Sequence, residues 1–322
     1  NHLYIIKPFV YNKTMKFLIL GAGALGGYYG GLLQKGGADV TFLVRPPKAD
    51  QLRNDGIRIK LEDSYYNAPV KITTSNTIDE EFDVIFLTCK AYDLEASIKS
   101  ITPAVGNRSA VLPILNGVNH IDILIEHFGT DRVLAGVTQF LVNQGRDGTI
   151  RPTLHGSGGQ KTIFGEIRGG GSKRCDGILE AMKINMPDTS ISNNILKEIW
   201  TKLSGAGPSF AVASLLQARA GEVANTTTSV SVVENIFNES SAICSAEGYP
   251  ASKDMKDIIV NDLWGKKGSN YGPSILADIE NGRKTEGDHV IADLVRRGKK
   301  HNLKIPLLEA ALCKIELYEN NL

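Results

Sequence analysis

The stretch LILGAGALGGYYGG, residues 18–31, decides how this chain folds. It ends an aliphatic run that begins at Lys16, and inside it Gly21, Gly23 and Gly26 form GxGxxG around Ala22, Ala24 and Leu25. Between a strand and a helix each glycine has its own use. Gly21 permits a tight turn, Gly23 lets a pyrophosphate approach the backbone, and Gly26 lets helix and strand lie close, while the helix N-terminus stabilises phosphate charge. Gly21, Ala22, Gly23, Ala24, Leu25 and Gly26 are therefore candidate dinucleotide-binding residues. The competing reading is a packing turn in a chain with 33 glycines; the flanking strand and helix favour the nucleotide.

The next strand, DVTFLV at 39–44, tells which dinucleotide to expect. Folds that prefer NAD place an acid about 20 residues beyond the glycines, where it accepts hydrogen bonds from the ribose hydroxyls. Here the strand runs into Arg45, and the nearby acid, Asp39, stands at its opposite end. A guanidinium suits a 2′-phosphate. NADPH is the expected cofactor, with Lys48 as a second cation; the alternative is a solvated arginine at a strand end.

Outward from this unit the pattern keeps alternating. Candidate strands occupy 83–89, 110–115 and 132–142, with helices at 25–35, 47–55, 94–105 and 120–128. Such alternation implies βαβ units and a parallel sheet. Thr- and Ile-rich runs around a Gly/Ser turn at 148–167 predict a hairpin that closes the sheet. Past residue 187 amphipathic helical patterns take over at 193–203, 226–247, 274–282, 285–301 and 305–319. The expected fold class is α/β: an N-terminal Rossmann-type doubly wound sheet over residues 15–190, then an all-helical C-terminal domain over 191–322. Residues 1–14, ahead of Met15, are read as an upstream extension outside the fold.

Composition narrows the function. Lys+Arg total 36 against Asp+Glu 35, so no strong field draws nucleic acid or an anionic membrane. No run approaches the ~20 apolar residues of a membrane span. The four cysteines are scattered without a CxxC pair, which predicts no metal site and a reducing, cytoplasmic home. A nucleotide-binding half followed by a helical half places a substrate in the cleft between them. Carbonyl reduction there needs a hydride donor and an acid that protonates the developing alkoxide. His120, His127, His155, His289 and His301 lack motif context and read as surface or structural residues, which turns attention to lysine.

At this point a resemblance enters. GAGALGG and FLVR, CKAYD at 89–93, LNGV at 115–118, IWTKL at 199–203 and SILADIENGRKTEGD at 274–288 occur in the order and approximate spacing of the ketopantoate reductase (2-dehydropantoate 2-reductase) family. The most specific part is the pairing of WxKL with the later S…D…GRxTExD. The resemblance implies NADPH-dependent reduction of a 2-oxo acid, with Lys202 as general acid on the C2 carbonyl and Glu286 in cofactor and active-site hydrogen bonding. It implies Ser274 as a substrate-binding serine, Asn116 as a cofactor contact and Lys90 at the nicotinamide end. Read without it, Lys202 is an exposed helical lysine, Glu286 a helix-face carboxylate, Ser274 an N-cap, Asn116 part of a turn and Lys90 a strand-end charge.

The chain also departs from the family pattern. Asparagines that follow the lysine in well-known members are replaced here by Ala206, Phe210 and Ala220, so the resemblance describes a divergent branch. An apolar wall favours a different or bulkier 2-oxo acid, because a site built on hydrogen bonds selects through the groups it pairs. The expected partner is thus a small-molecule 2-oxo acid, 2-dehydropantoate in pantothenate synthesis first among them, with a homodimer as a compatible assembly. The alternatives are a reductase of another 2-oxo acid or an imine, and an NADPH-binding regulator without turnover.

Overall fold

A computed structural model describes residues 15–153 and 160–322. Its first half alternates strand and helix: β1 (Lys16–Leu20), α1 (Ala24–Lys35), β2 (Asp39–Leu43), α2 (Pro46–Asp55), β3 (Ile57–Lys60), β4 (Tyr65–Ala68), β5 (Lys71–Thr73), β6 (Phe82–Leu87), α3 (Leu94–Ile101) and β7 (Val105–Pro113). Five of these strands form an all-parallel sheet in the order β5-β2-β1-β6-β7. On β1, Phe17 and Ile19 enter one apolar cluster while Leu18 and Leu20 enter another. Both faces of the sheet are therefore covered, as a doubly wound parallel sheet requires. The carboxyl ends of β2 and β6 flank the glycine loop that leaves β1.

Several expectations need correction. The helix expected over 94–105 stops at Ile101, gives way to a 3-10 turn at Thr102–Ala104, and β7 begins at Val105; Pro103 lacks the N–H that another helical turn would use. The single strand expected at 132–142 is two. They are β8 (Leu134–Thr138) and β9 (Leu141–Gln144), placed in different sheets after α4 (Asn119–Phe128). An isolated parallel bridge between Val111 and Val133 is the link from this segment to the main sheet among the described residues.

The hairpin expected at 148–167 does not form. β10 (Ile150–Thr153) pairs antiparallel with β9 and in parallel with β3, whereas β11 (Thr162–Glu166) pairs antiparallel with β8 and in parallel with β12 (Thr189–Ile191), which follows α5 (Lys173–Lys183). The turn assigned to 154–159 lies outside the described residues, as does the extension at 1–14. Partners supplied by β3, β8 and β9 decided the pairing, and local alternation carries no trace of them.

The rest is helical: α6 (Ile195–Leu216), α7 (Ala220–Val223), α8 (Ser229–Ala246), α9 (Met255–Asp257), α10 (Ser274–Glu280), α11 (Asp293–Lys300) and α12 (Pro306–Glu319). The Asn194 side chain caps α6 by accepting from the Lys197 N–H at 3.2 Å. A π-helical turn at Ile258–Trp264 extends α9, and another at Asp288–Ala292 leads into α11, so the helix expected over 285–301 is a composite. This half shares its core with Val118, Ile121, Ala135, Val137 and Ile163 of the first half. That common core forms the floor of the crevice in which the polar side chains described below meet.

Gly26 illustrates how tightly loop and sheet are joined. A Cβ there would meet the Gly21 carbonyl oxygen, and would stand 2.5 Å from Thr88 Oγ1, which itself donates to the Leu20 carbonyl at 3.0 Å. Around Gly23 there is nothing within 4 Å. Gly26→Ala is therefore expected to lower folding stability by about 1–3 kcal/mol, and Gly23→Ala far less, a contrast that urea denaturation of the two variants measures directly.

Candidate active site

The glycine loop has a shape that could hold a phosphate. Gly21 has φ +87°, in the region that favours glycine, and its N–H donates to the Leu43 carbonyl at 2.9 Å, so the loop is tied to the end of β2. Gly23 is the N-cap of α1 and supplies no side-chain cap, and a Cβ at either Gly21 or Gly23 would find empty space. Free N–H groups at the start of a 12-residue helix, open to a ligand, fit the pyrophosphate of a dinucleotide. Beside Ala22 lies a cavity of about 420 Å³, bordered by Lys48, Gln51, Arg58, Gln144 and Asp147. Lys48 donates to Gln51 Oε1 at 2.9 Å there.

Arg45 caps α2 just beyond β2, and its Nη2 stands 3.1 Å from Asp93 Oδ2. Asp39 pairs instead with Lys71 at 2.6 Å, at the far end of the strand.

A second group of residues converges at the carboxyl ends of β6 and β7. Glu286, only 6% exposed, accepts from the Ala91 N–H at 3.1 Å, from Asn116 Nδ2 at 3.3 Å and from Lys90 Nζ at 3.4 Å. Asn116 Oδ1 in turn accepts from Lys202 Nζ at 3.1 Å. The amide of Asn116 is thereby oriented, oxygen toward an ammonium and nitrogen toward a carboxylate. Lys90 also reaches Asp278 at 3.2 Å, and Arg283 grips the same carboxylate through Nε at 2.9 Å and Nη2 at 2.8 Å.

The two lysines differ electrostatically. Burial pulls the Lys90 ammonium down, but the charges of Glu286 and Asp278 and their hydrogen bonds outweigh it, and the net shift is upward. Burial dominates at Lys202, with Glu286 opposing, and its pKa is lowered to about 8. One ammonium is held charged and the other is shifted toward neutrality, a separation of the kind acid–base sites use.

A model of the "Ketopantoate reductase PanE/ApbA" family matches residues 17–169, and one of that family's C-terminal domain matches residues 194–319. The chain belongs to this family. It is 31% identical over 306 residues to the uncharacterised oxidoreductase YkpB of Bacillus subtilis strain 168, covering 95% of this chain and 99% of that one. It is 29% identical to the 2-dehydropantoate 2-reductase of Pyrococcus abyssi strain GE5, over 91% of this chain and 94% of that enzyme. A D-mandelate dehydrogenase solved with NADH and anilino(oxo)acetate shares the fold, with a TM-score of 0.81 and 22% identity over 95% of this chain and 99% of its own.

Of the residues singled out from sequence, the structure brings Lys90, Asn116, Lys202 and Glu286 together. Ser274 is the first residue of α10, with Pro273 at the N-cap position, so the capping alternative does not hold. It lies one helical turn before Asp278 on the same face. Asp278 and Arg283 were passed over in the sequence although both stand inside the quoted family motif. Two of the replaced positions, Ala206 and Phe210, line a small pocket of about 10 Å³ beside Lys202 and Asn116. Ala220 does not; it is fully buried in the helical core, where its N–H donates to the Tyr271 carbonyl. Trp200 stacks on Tyr249 at 5.5 Å, a packing role.

Two of the histidines are structural, as the sequence suggests. His120 and His289 form a buried pair, Nδ1 to Nε2 at 3.3 Å, and His120 Nε2 has no partner among the described residues. Burial chiefly, then His289 and Lys202, lowers His120 to about 3, so it stands neutral, while His289 packs against Gly117. His155 lies outside the described residues.

Burying an ammonium costs stability, and the sign of its pH dependence follows. From the ordinary value of 10.5 down to about 8, the unfolded chain holds a proton on Lys202 that the folded chain does not, so stability falls as pH falls through this window and is level below it. Lys202→Met is therefore expected to exceed the parent in stability at pH 7 by up to about 3 kcal/mol. In denaturation followed from pH 7 to 10.5, the gap should close as pH rises.

Proposed function

We propose that this chain is an NADPH-dependent reductase of a 2-oxo acid, with 2-dehydropantoate to pantoate, in pantothenate synthesis, as its leading reaction. The observation that carries the reading is Lys202: a buried, depressed ammonium held at 3.1 Å by Asn116, with Glu286 completing the chain of contacts. In this reading residues 15–190 hold the cofactor and residues 191–322 supply the acid, in a cytoplasmic setting and as a homodimer. Gly21 to Gly26 would take the pyrophosphate, Arg45 the 2′-phosphate, and Lys90, Asn116 and Glu286 the nicotinamide end.

A bound reduced nicotinamide supplies hydride to C2 of the 2-oxo acid. Lys202 supplies what the protein must add: its Nζ proton passes to the carbonyl oxygen as negative charge develops there, giving the 2-hydroxy acid. Asn116 fixes the direction of the ammonium. Glu286 fixes Asn116 and lends the negative charge that keeps Lys202 protonated despite its burial. In this reading Ser274 binds the substrate.

Loss of NADPH absorbance with 2-dehydropantoate and a panel of 2-oxo acids tests the reading. Lys202→Ala is expected to lower kcat at least ~100-fold, the scale of a lost general acid. In the parent, kcat/KM for reduction should fall as pH rises past about 8, and this limb should be missing in the variant. Near-parental kcat in Lys202→Ala would move the acid elsewhere. A parent that binds NADPH and turns over none of the panel would be a regulator.

Ala206 and Phe210 support a second reading, in which the physiological substrate is another 2-oxo acid. Their apolar side chains stand beside Lys202 where polar contacts to 2-dehydropantoate would be made, and the shared fold of a D-mandelate dehydrogenase accommodates anilino(oxo)acetate. Ala206→Asn should then raise kcat/KM for 2-dehydropantoate relative to bulkier 2-oxo acids; an unchanged ratio in steady-state assays would dismiss the contact.

A further inference from the structure

The sequence places no acid at the end of β2, and the preference for NADPH rests on that absence. The fold supplies one from elsewhere. β6 runs parallel to β1 on the side opposite β2, and its carboxyl end leads through Lys90 into a 3-10 turn at Ala91–Asp93. That turn carries Asp93 back across the outlet of β1 to Arg45, with Nη2 and Oδ2 3.1 Å apart. The bridge thus spans from the β6 side to the β2 side of the glycine loop.

We propose that Asp93 is the cofactor-selecting residue of this chain: its carboxylate competes with a 2′-phosphate for Arg45 and accepts a ribose hydroxyl of NADH, so that both nucleotides are bound. The proposal rests on the nicotinamide-cofactor reading given above. Three physical points carry it. The guanidinium fork that would take the phosphate is already shared with a carboxylate. A carboxylate at this distance repels a dianionic phosphate brought to the same fork. A carboxylate brought beside the end of β2 can also accept ribose hydroxyls, the role an acid on β2 itself plays in NAD-preferring folds, though here it arrives on another connection.

The ion pair adds little to folding. The side chains are 77% and 37% exposed, and such pairs contribute little to stability. Asp93 can therefore be changed without endangering the fold, and of the other cations near the loop Lys48 is turned to Gln51 and Arg58 to Asn67.

The test is direct titration of the full chain with NADPH and with NADH, by calorimetry, for the parent, Asp93→Asn, Asp93→Ser and Arg45→Ala, with thermal unfolding as the control for folding. Removing the carboxylate should tighten NADPH about tenfold and weaken NADH severalfold, so that the ratio of the two dissociation constants moves by more than about tenfold. The gain for NADPH should shrink at high salt. A ratio that moves by less than about threefold in both Asp93 variants, the scatter of an exposed pair, while Arg45→Ala still weakens NADPH selectively, overturns the role of Asp93 and leaves the cofactor reading standing. A parent that binds neither nucleotide overturns that reading, and this proposal with it.

Discussion

Everything at the site hangs on the Glu286 carboxylate. It is nearly sealed from water, and a buried charge without partners is expensive enough to be expelled or neutralised. Its partners come from the other half of the chain: the Ala91 N–H, Lys90 and, through Nδ2, Asn116. Satisfying one carboxylate therefore joins residues 90, 91 and 116 of the sheet to residue 286 of the helical half, and Asn116 carries the link on to Lys202 on α6. The shared apolar core brings the two halves together, but this polar chain sets their register at the crevice.

The same chain divides the labour between two lysines. Lys90 has two carboxylates within reach and stays charged. Lys202 touches only a neutral amide in the described residues and feels Glu286 through it, so burial wins. One ammonium is held charged and the other gives up its proton more readily, because only the first has carboxylates in contact. The neutral His120–His289 pair is consistent with this division. An imidazolium at that depth would add a second positive charge beside Lys202 and depress it further.

Much of this was legible in the sequence because it is written locally. The glycine loop, the strands on either side of it and the long amphipathic helices are short-range patterns, and the site lysine, asparagine and glutamate sit in compact motifs. What escaped was settled across distance. β3 and β4 pair with each other, and β3 with β10, some ninety residues on in the sequence, so neither a short strand nor its partner announces itself. The segment at 132–142 keeps an unbroken apolar pattern through the point where the chain changes sheets. Asp93 is the instructive case at the site. The absence of an acid after β2 was read correctly from the order of residues, yet position along the chain does not tell which side chain will arrive from a neighbouring strand.

The two replaced positions beside Lys202 lie on the helix that carries it. Lys202, Ala206 and Phe210 follow one another at intervals of four along α6 and therefore share a stripe of that helix. Asn116 and Glu286, which govern the acid, approach from a different direction. The wall of the pocket can thus change from amide to methyl or ring while the contacts that set the Lys202 proton remain. With Phe210 in place, the space left beside the ammonium is that of about one water molecule. Anything larger can enter this space only if the Phe210 ring turns aside, and that movement exposes the ammonium to water. Opening would then raise its proton affinity toward the ordinary value of a lysine, and closing would lower it again.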